Sequence, residues 1–347
     1  MRGRAIATRV LPTGGRNRGR SIATAARLLR EGCLVAFPTE TVYGLGAGVF
    51  NRRALERLFR VKGRPRDNPL IVHIWHLDQI WRLVETIPVM FWVLSERFWP
   101  GPLTLVLRKS RAVPDVVTAG LPTVAIRMPD HAVARALLKE TGVPVAAPSA
   151  NIAGRPSPTR ASHVLEDLGG KIAAVLEGGA SRIGVESTVL DISGRRPLLL
   201  RPGGTTREEL EAALGMRVVS PRGSRLGPRS PGMKYRHYAP RAAMLLFEGG
   251  RPQVLAGMRS ACRGLLRRGI RAGVLCEGSA ASGFRGADVA SLGGGGAERA
   301  ARRLFTGLRM LDGRGVEVIL CQGFPEERLG HALMNRLRKA AGRRIRC

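Results

Sequence analysis

The chain has 347 residues, 57 Lys and Arg against 26 Asp and Glu, a formal net charge of +31 and 44% hydrophobic residues. That length exceeds one ordinary core and fits two domains at roughly 100–200 residues each. No stretch offers the ~18–20 uninterrupted apolar residues of a membrane span. The basic start, Met1 to Arg20, lacks the apolar run of a secretory signal, so a cytoplasmic protein is expected.

In chain order, residues 1–20 read as a Gly/Arg-rich tail with one short strand over Ala5–Val10. Ile22, Ala25, Ala26 and Leu29 repeat at helical spacing and predict a helix over Ser21–Arg30, ended by Glu31-Gly32. Leu34–Phe37 is the first buried strand. Leu55, Leu58 and Phe59 define a second helix over Arg53–Val61, stopping at Gly63 and Pro65. Leu70–Ile74 is a strand, His131–Thr141 a helix closed by Gly142, and Val143–Ala147 a strand. Strands over Leu190–Ile192 and Leu198–Leu200 follow. Some connections are too short for crossover helices, which predicts antiparallel pairs within a mixed α/β sheet.

Residues 217–241 are rich in Pro, Gly and Arg without periodicity, the composition of a linker. Beyond them come a strand (Met244–Phe247), a helix (Gln253–Arg268), a strand (Ala272–Cys276), a helix (Ala297–Leu311), a strand (Val316–Cys321) and a helix (Arg328–Gly342). That alternation predicts a small parallel sheet of Rossmann-like type. It carries no GxGxxG, and the Gly293–Gly296 run reads as a loop. The expected division is therefore a tail (1–20), a catalytic domain (21–205), a linker or lid (206–241) and a C-terminal domain (242–347).

The five cysteines (33, 262, 276, 321, 347) are widely spaced and form no CxxC pair, so they read as unpaired thiols. Only six of the cations are lysines. An arginine excess spread along the chain fits either nucleic-acid attraction or a bias in composition. Aromatics at 5% leave little for base stacking.

Polar or kinked segments sit where strands end, the usual place for a ligand crevice in α/β sheets. Lys62 and Arg64, flanking Gly63, can face one anionic group, which suggests a phosphate-bearing substrate. The segments PTETVYGLG (Pro38 to Gly46), KGRPRDNPLIVHI (Lys62 to Ile74), WPGPLT (Trp99 to Thr104), AIRMP (Ala125 to Pro129), APSAN (Ala147 to Asn151), VESTV (Val185 to Val189) and LRPG (Leu200 to Gly203) occur in this order. Together they resemble the YrdC-like family of threonylcarbamoyl-AMP synthases. SPGMKYRHYAP (Ser230 to Pro240), with residues 241–347 after it, resembles the two-domain version.

The resemblance implies a twisted mixed YrdC-like sheet linked to a smaller Rossmann-like domain. It implies a nucleotidyltransferase joining L-threonine, bicarbonate and ATP into threonylcarbamoyl-AMP and pyrophosphate, for the t6A37 modification of tRNA. Mg²⁺ would arrive with ATP, and no carboxylate cluster that would cage it is evident. The implied catalytic set is Lys62, Arg64, Ser149 and Asn151. Thr41, His73, Arg127, Ala147 and Ser187 would hold threonine, Ser187 at its hydroxyl. Lys62, Arg64, Asn68, Thr123, Ser149, Asn151, Ser157, Arg201 and Tyr235 would hold ATP. Tyr235, His237 and Tyr238 would form a lid.

Arg127 stands in an apolar strand, and a buried arginine without a counter-charge would call for an anionic guest such as the threonine carboxylate. Charge logic gives Glu40 and Tyr43 no role. Further expected partners are a downstream threonylcarbamoyl transferase complex and a tRNA contact; no membrane is expected. A different class of reading is an RNA-binding module with a non-catalytic pocket. The carbamoyl-transfer machinery of hydrogenase maturation is a third, against which the lack of paired-Cys motifs counts.

Overall fold

A computed structural model describes residues 7–220 and 237–347. They fall into two compact units. The first comprises residues 7–153, 158–182 and 186–220, and the second 154–157, 183–185 and 237–347.

The first unit begins with strand β1 (Arg9–Pro12) and helix α1 (Arg18–Arg30), then β2 (Val35–Phe37), β3 (Gly44–Gly48) and α2 (Arg52–Lys62). Next come β4 (Ile71–His73), α3 (Val89–Phe98), β5 (Leu103–Arg108), the short α4 (Asp115–Thr118), β6 (Thr123–Arg127), α5 (Ala132–Thr141) and β7 (Val145–Ala146). α6 (Ala161–Leu168), β8 (Ala174–Glu177), β9 (Thr188–Asp191), β10 (Leu198–Arg201) and α7 (Arg207–Leu214) complete it. Ten strands form one sheet in the order β1-β8-β2-β3-β7-β4-β6-β5-β9-β10. β2/β3 and β9/β10 pair antiparallel, as their short connections require, while β4/β6 and β5/β9 run parallel. The sheet is mixed, as expected.

The stretch read as a tail is partly structured. Thr8 Oγ1 donates to Ile172 O at 2.7 Å, and β1 pairs with β8 from Arg9 to Pro12, so the strand lies later than expected. Its exposed edge carries little apolar periodicity, which is why the sequence pattern misplaces it.

Local chemistry sets the helix ends that matter for the site. Asn51 Oδ1 caps α2 by accepting from Ala54 N at 3.0 Å. Gly63, in the left-handed region at φ 59°, stops α2 immediately after Lys62. Leu55, Leu58 and Phe59 face the main core, which includes Leu45, Val72, Leu105 and Ile126 from one side of the sheet. On the other side Val35, Phe37, Val145 and Leu176 pack against Ala25, Leu29, Leu137 and Leu138.

In the second unit, β11 (Ala243–Glu248), α8 (Arg251–Arg267), β12 (Ala272–Cys276), β13 (Asp288–Ser291), α9 (Ala297–Gly313), β14 (Val318–Gln322), α10 (Leu329–Ala340) and β15 (Arg343–Arg346) follow in order. The strands stand as β13-β12-β14-β11-β15, and every pair is parallel. This is the expected parallel Rossmann-like sheet, with two further strands, β13 and β15, at its edges. No helix among the described residues is long and apolar enough to cross a membrane.

Candidate active site

Period-2 alternation places one polar row on the first sheet. His73 on β4 is opposite Arg127 on β6, and Arg127 is opposite Thr104 on β5. Directly opposed residues share a face, so all three project to the same side. The row continues through Val189 on β9 to Arg201 on β10 and, the other way, from His73 to Val145 on β7. His73, Arg127 and Thr104 are all buried.

Arg127 is not the lone cation that the sequence suggests. Glu40 Oε1 lies 2.6 Å from Nη2, in a pair whose side chains are 4% and 1% exposed. This corrects the premise that an anionic guest must supply the counter-charge. Nη1 donates to Thr41 Oγ1 at 2.9 Å and Nε to Gly101 O at 3.2 Å. Thr41 Oγ1 is in turn 2.8 Å from Thr39 Oγ1, which donates to Val42 O at 2.6 Å. Of the five guanidinium N–H groups, one on each terminal nitrogen is left over from these contacts, enough for a carboxylate.

His73 Nδ1 lies 3.2 Å from Ile71 O, and its ring meets Phe37 edge-on. Burial, and then the Arg127 charge, push its pKa down to about 3, against backbone carbonyls of Ile71 and Val145 that pull it up. The imidazole is therefore neutral at physiological pH. The unfolded chain takes up a proton near pH ~6.5 that the folded chain refuses. The stability that this residue contributes is complete above that pH and is lost as the pH falls, by about 2 kcal/mol at roughly pH 5. Thermal melts of His73→Gln should accordingly decline less steeply between about pH 7 and 5 than those of the parent. Equal slopes would contradict this assignment.

Ser187, also buried, is gripped from two sides. Arg201 donates from Nε to Ser187 O and from Nη2 to Ser187 Oγ, both at 3.1 Å. Thr104 Oγ1 is 2.8 Å from Ser187 Oγ. Arg201, placed by resemblance on the nucleotide side, is thus tied to Ser187, which the resemblance places with threonine. The segment at Ala147 bonds to β4, Ala147 N donating to Ile71 O at 2.9 Å.

Lys62, 2% exposed, points its Nζ at two backbone carbonyls, Ser149 O at 2.5 Å and Asn151 O. Burial, and then the neighbouring Arg64 charge, hold its pKa well below the usual ammonium value, with Asp167 opposing. Arg64 donates from Nε to Asn68 O at 3.1 Å and from Nη2 to Pro69 O at 2.7 Å, bracing the turn that leads into β4. Asn68 and Asn151 are buried and Ser149 is half-buried; Asn151 Nδ2 donates to Ile152 O at 2.8 Å. Gly44 bridges Ser149, and Ala150 N donates to Tyr43 O, so the first and third motifs are joined. Thr123 begins β6, four residues and about 13 Å along the strand from Arg127. Ser157 is buried in the second unit. No group of three or more His, Cys, Asp or Glu placed to hold a metal ion occurs among the described residues.

A family model described as "Telomere recombination" matches residues 27–203, and one described as "Threonylcarbamoyl-AMP synthase, C-terminal domain" matches residues 205–342. A threonylcarbamoyl-AMP synthase of Pyrococcus abyssi is 50% identical over 93% of this chain and 95% of its own. The chain belongs to the threonylcarbamoyl-AMP synthase family. The Bacillus subtilis member is 48% identical over 93% of this chain and 94% of its own. The crystal structure of P. abyssi Sua5 complexed with L-threonine superposes with a TM-score of 0.93 at 48% identity, covering 98% of this chain and 100% of that one.

Within this family frame, two residues of the first motif acquire roles that the sequence did not disclose. Glu40 is the counter-ion of Arg127. Tyr43, fully buried, donates to Gly179 O at 2.7 Å and accepts from Gly178 N at 3.2 Å, and burial pushes its pKa up to about 12. It is a structural tie. Thr104 ends the segment WPGPLT and lies outside the set of site residues that the resemblance implies.

Of the expected lid, Tyr235 lies outside the described residues, with most of its motif. Tyr238 is packed inside the second unit, its ring 5.5 Å from Phe305 and 5.6 Å from the guanidinium of the fully buried Arg336. His237 lies beside it, ring centroids 5.7 Å apart.

Proposed function

We propose that this chain condenses L-threonine, bicarbonate and ATP into threonylcarbamoyl-AMP, with pyrophosphate and water released. The observation that carries the reading is the buried row His73–Arg127–Thr104 with Ser187 attached, since it presents a fixed cation and a hydroxyl to a small zwitterion. Arg127 would take the threonine carboxylate on its remaining N–H groups. Ser187 would meet the side-chain hydroxyl, and Thr41, His73 and Ala147 would close the niche. A neutral His73 adds no second cation beside the ammonium.

The free amine of threonine adds to the carbon of bicarbonate, water leaves, and a carbamate forms. A carbamate oxygen then attacks the α-phosphorus of ATP, and the bond to the β-phosphate bridging oxygen breaks to release pyrophosphate. Such transfer depends on positioning and on charge placed where it develops. In this reading Lys62, Arg64, Ser149 and Asn151 hold the phosphates. Asn68, Thr123, Ser157, Arg201 and Tyr235 serve the nucleotide, with Arg201 also fixing Ser187. Tyr235, His237 and Tyr238 would exclude water as a lid. Mg²⁺, carried on triphosphate oxygens, supplies charge neutralisation when bound. The product would pass to a transferase complex acting on adenosine 37 of tRNA, and the arginine-rich surface offers tRNA a contact.

The test is pyrophosphate release from Mg-ATP with L-threonine and bicarbonate each added or omitted. Release requiring both is expected. Release indifferent to threonine would refute the reading.

A further inference from the structure

Ser187 Oγ has one hydrogen to give and two lone pairs to fill. Arg201 Nη2, which can only donate, fills one lone pair at 3.1 Å. Thr104 Oγ1 sits 2.8 Å away, fully buried on β5, and among the described residues Ser187 is the one hydrogen-bond partner of its hydroxyl. Two directions are open for that bond. If Ser187 donated, the Thr104 hydrogen would be left buried without an acceptor. If Thr104 donates, its hydrogen is used and both Ser187 lone pairs are filled. Each arrangement leaves one hydroxyl hydrogen over, and only the second leaves it on Ser187, where an oxygen of a bound side chain can take it up. That hydrogen is aimed away from both neighbours and in need of an acceptor.

We infer that Thr104 is a specificity-determining residue: by donating to Ser187 it makes that hydroxyl an obligate donor, and so selects an amino acid whose side chain carries an accepting oxygen. The inference rests on the threonine reading of the site. Thr104 touches no substrate atom in this scheme and acts through Ser187 as a positioning residue. Its place is fixed from both sides, since Thr104 is registered with Arg127 on β6 and with Val189 on β9. The carboxylate anchor and the hydroxyl reader are therefore neighbours on one rigid surface.

A site built to bond a hydroxyl rejects the analogue that lacks it, because the buried donor is then unpaired. L-2-Aminobutyrate is threonine without the hydroxyl oxygen. Thr104→Val keeps the branched shape and removes the donor, which frees Ser187 to turn and to accept Arg201 alone.

The experiment compares kcat/KM for L-threonine and L-2-aminobutyrate, by pyrophosphate release, in the full-length parent, Thr104→Val and Thr104→Ser. The expected result is a preference for threonine that falls by about tenfold or more in Thr104→Val through KM for threonine, with KM for ATP within about twofold. Thr104→Ser should restore it, which a packing role would not predict. A preference in Thr104→Val within about twofold of the parent overturns the inference while leaving the synthase reading intact. A parent inactive with threonine overturns both. Where the valine variant fails to fold, Thr104→Ala is read by the same ratio.

Discussion

Arg127→Met is expected to abolish threonine-dependent pyrophosphate release and to lower stability by about 3–5 kcal/mol. The activity loss follows from removal of the proposed carboxylate anchor. The stability loss follows from Glu40, which is 1% exposed and whose counter-charge is Arg127 at 2.6 Å. Deleting one partner of such a pair strands the other charge in a dry site, which is the costly case. For a unit of this size the melting temperature should drop by on the order of 10 °C. The double variant Arg127→Met/Glu40→Gln removes both charges, so it should regain most of the lost melting temperature and none of the activity. Calorimetry and the pyrophosphate assay check the two halves separately. A single variant that melts with the parent would mean that Glu40 is paired elsewhere.

Lys62→Met is expected to reduce turnover by on the order of 10²–10³-fold, the scale set by loss of one preorganised donor. Nζ bonds Ser149 O and Asn151 O, so a lysine expected only as a phosphate ligand also shapes the loop that carries the other two polar residues. Two of its three N–H groups are committed to those carbonyls and one remains for a phosphate oxygen. Methionine matches its length without either function. Lys62→Arg should not rescue, because a planar fork does not fit a fully buried slot shaped for a point charge. KM for threonine should move little, since the proposed anchors Arg127 and Ser187 are held by Glu40, Thr41, Thr104 and Arg201. Activity within about threefold of the parent would show that the loop holds its shape without the ammonium and that the phosphates are bound elsewhere.

The limits of the sequence have identifiable causes. Charge and spacing mark Lys62 and Arg64, an apolar strand marks Arg127, and the resemblance of local segments supplies Ser149, Asn151 and His73 as expectations. The pairing of Glu40 with Arg127 joins positions far apart in the chain and depends on strand order, which no local pattern encodes. Thr104 was hidden for another reason: a threonine within Leu103–Arg108 reads as an ordinary β-branched strand residue.

β3 was unreadable as a strand because three of its five residues are glycines, which strands usually avoid. The structure shows what one of them is for: a Cβ on Gly46 would sit 3.0 Å from Val145 Cγ1 and 3.2 Å from Val35 O. β15, with three arginines in four residues, defied a hydrophobic pattern in the same way. It is an edge strand that pairs with β11, where Arg344 meets Glu248 at 2.5 Å, and a charged edge needs no apolar alternation.

The most direct measurement is mass spectrometry of the product formed from ATP, L-threonine and ¹³C-bicarbonate by the full-length chain. The account predicts an AMP adduct carrying both the threonine and the labelled carbon, absent when either is omitted and absent in Arg127→Met. Unlabelled adduct, or AMP and pyrophosphate formed with no adduct at all, would contradict it.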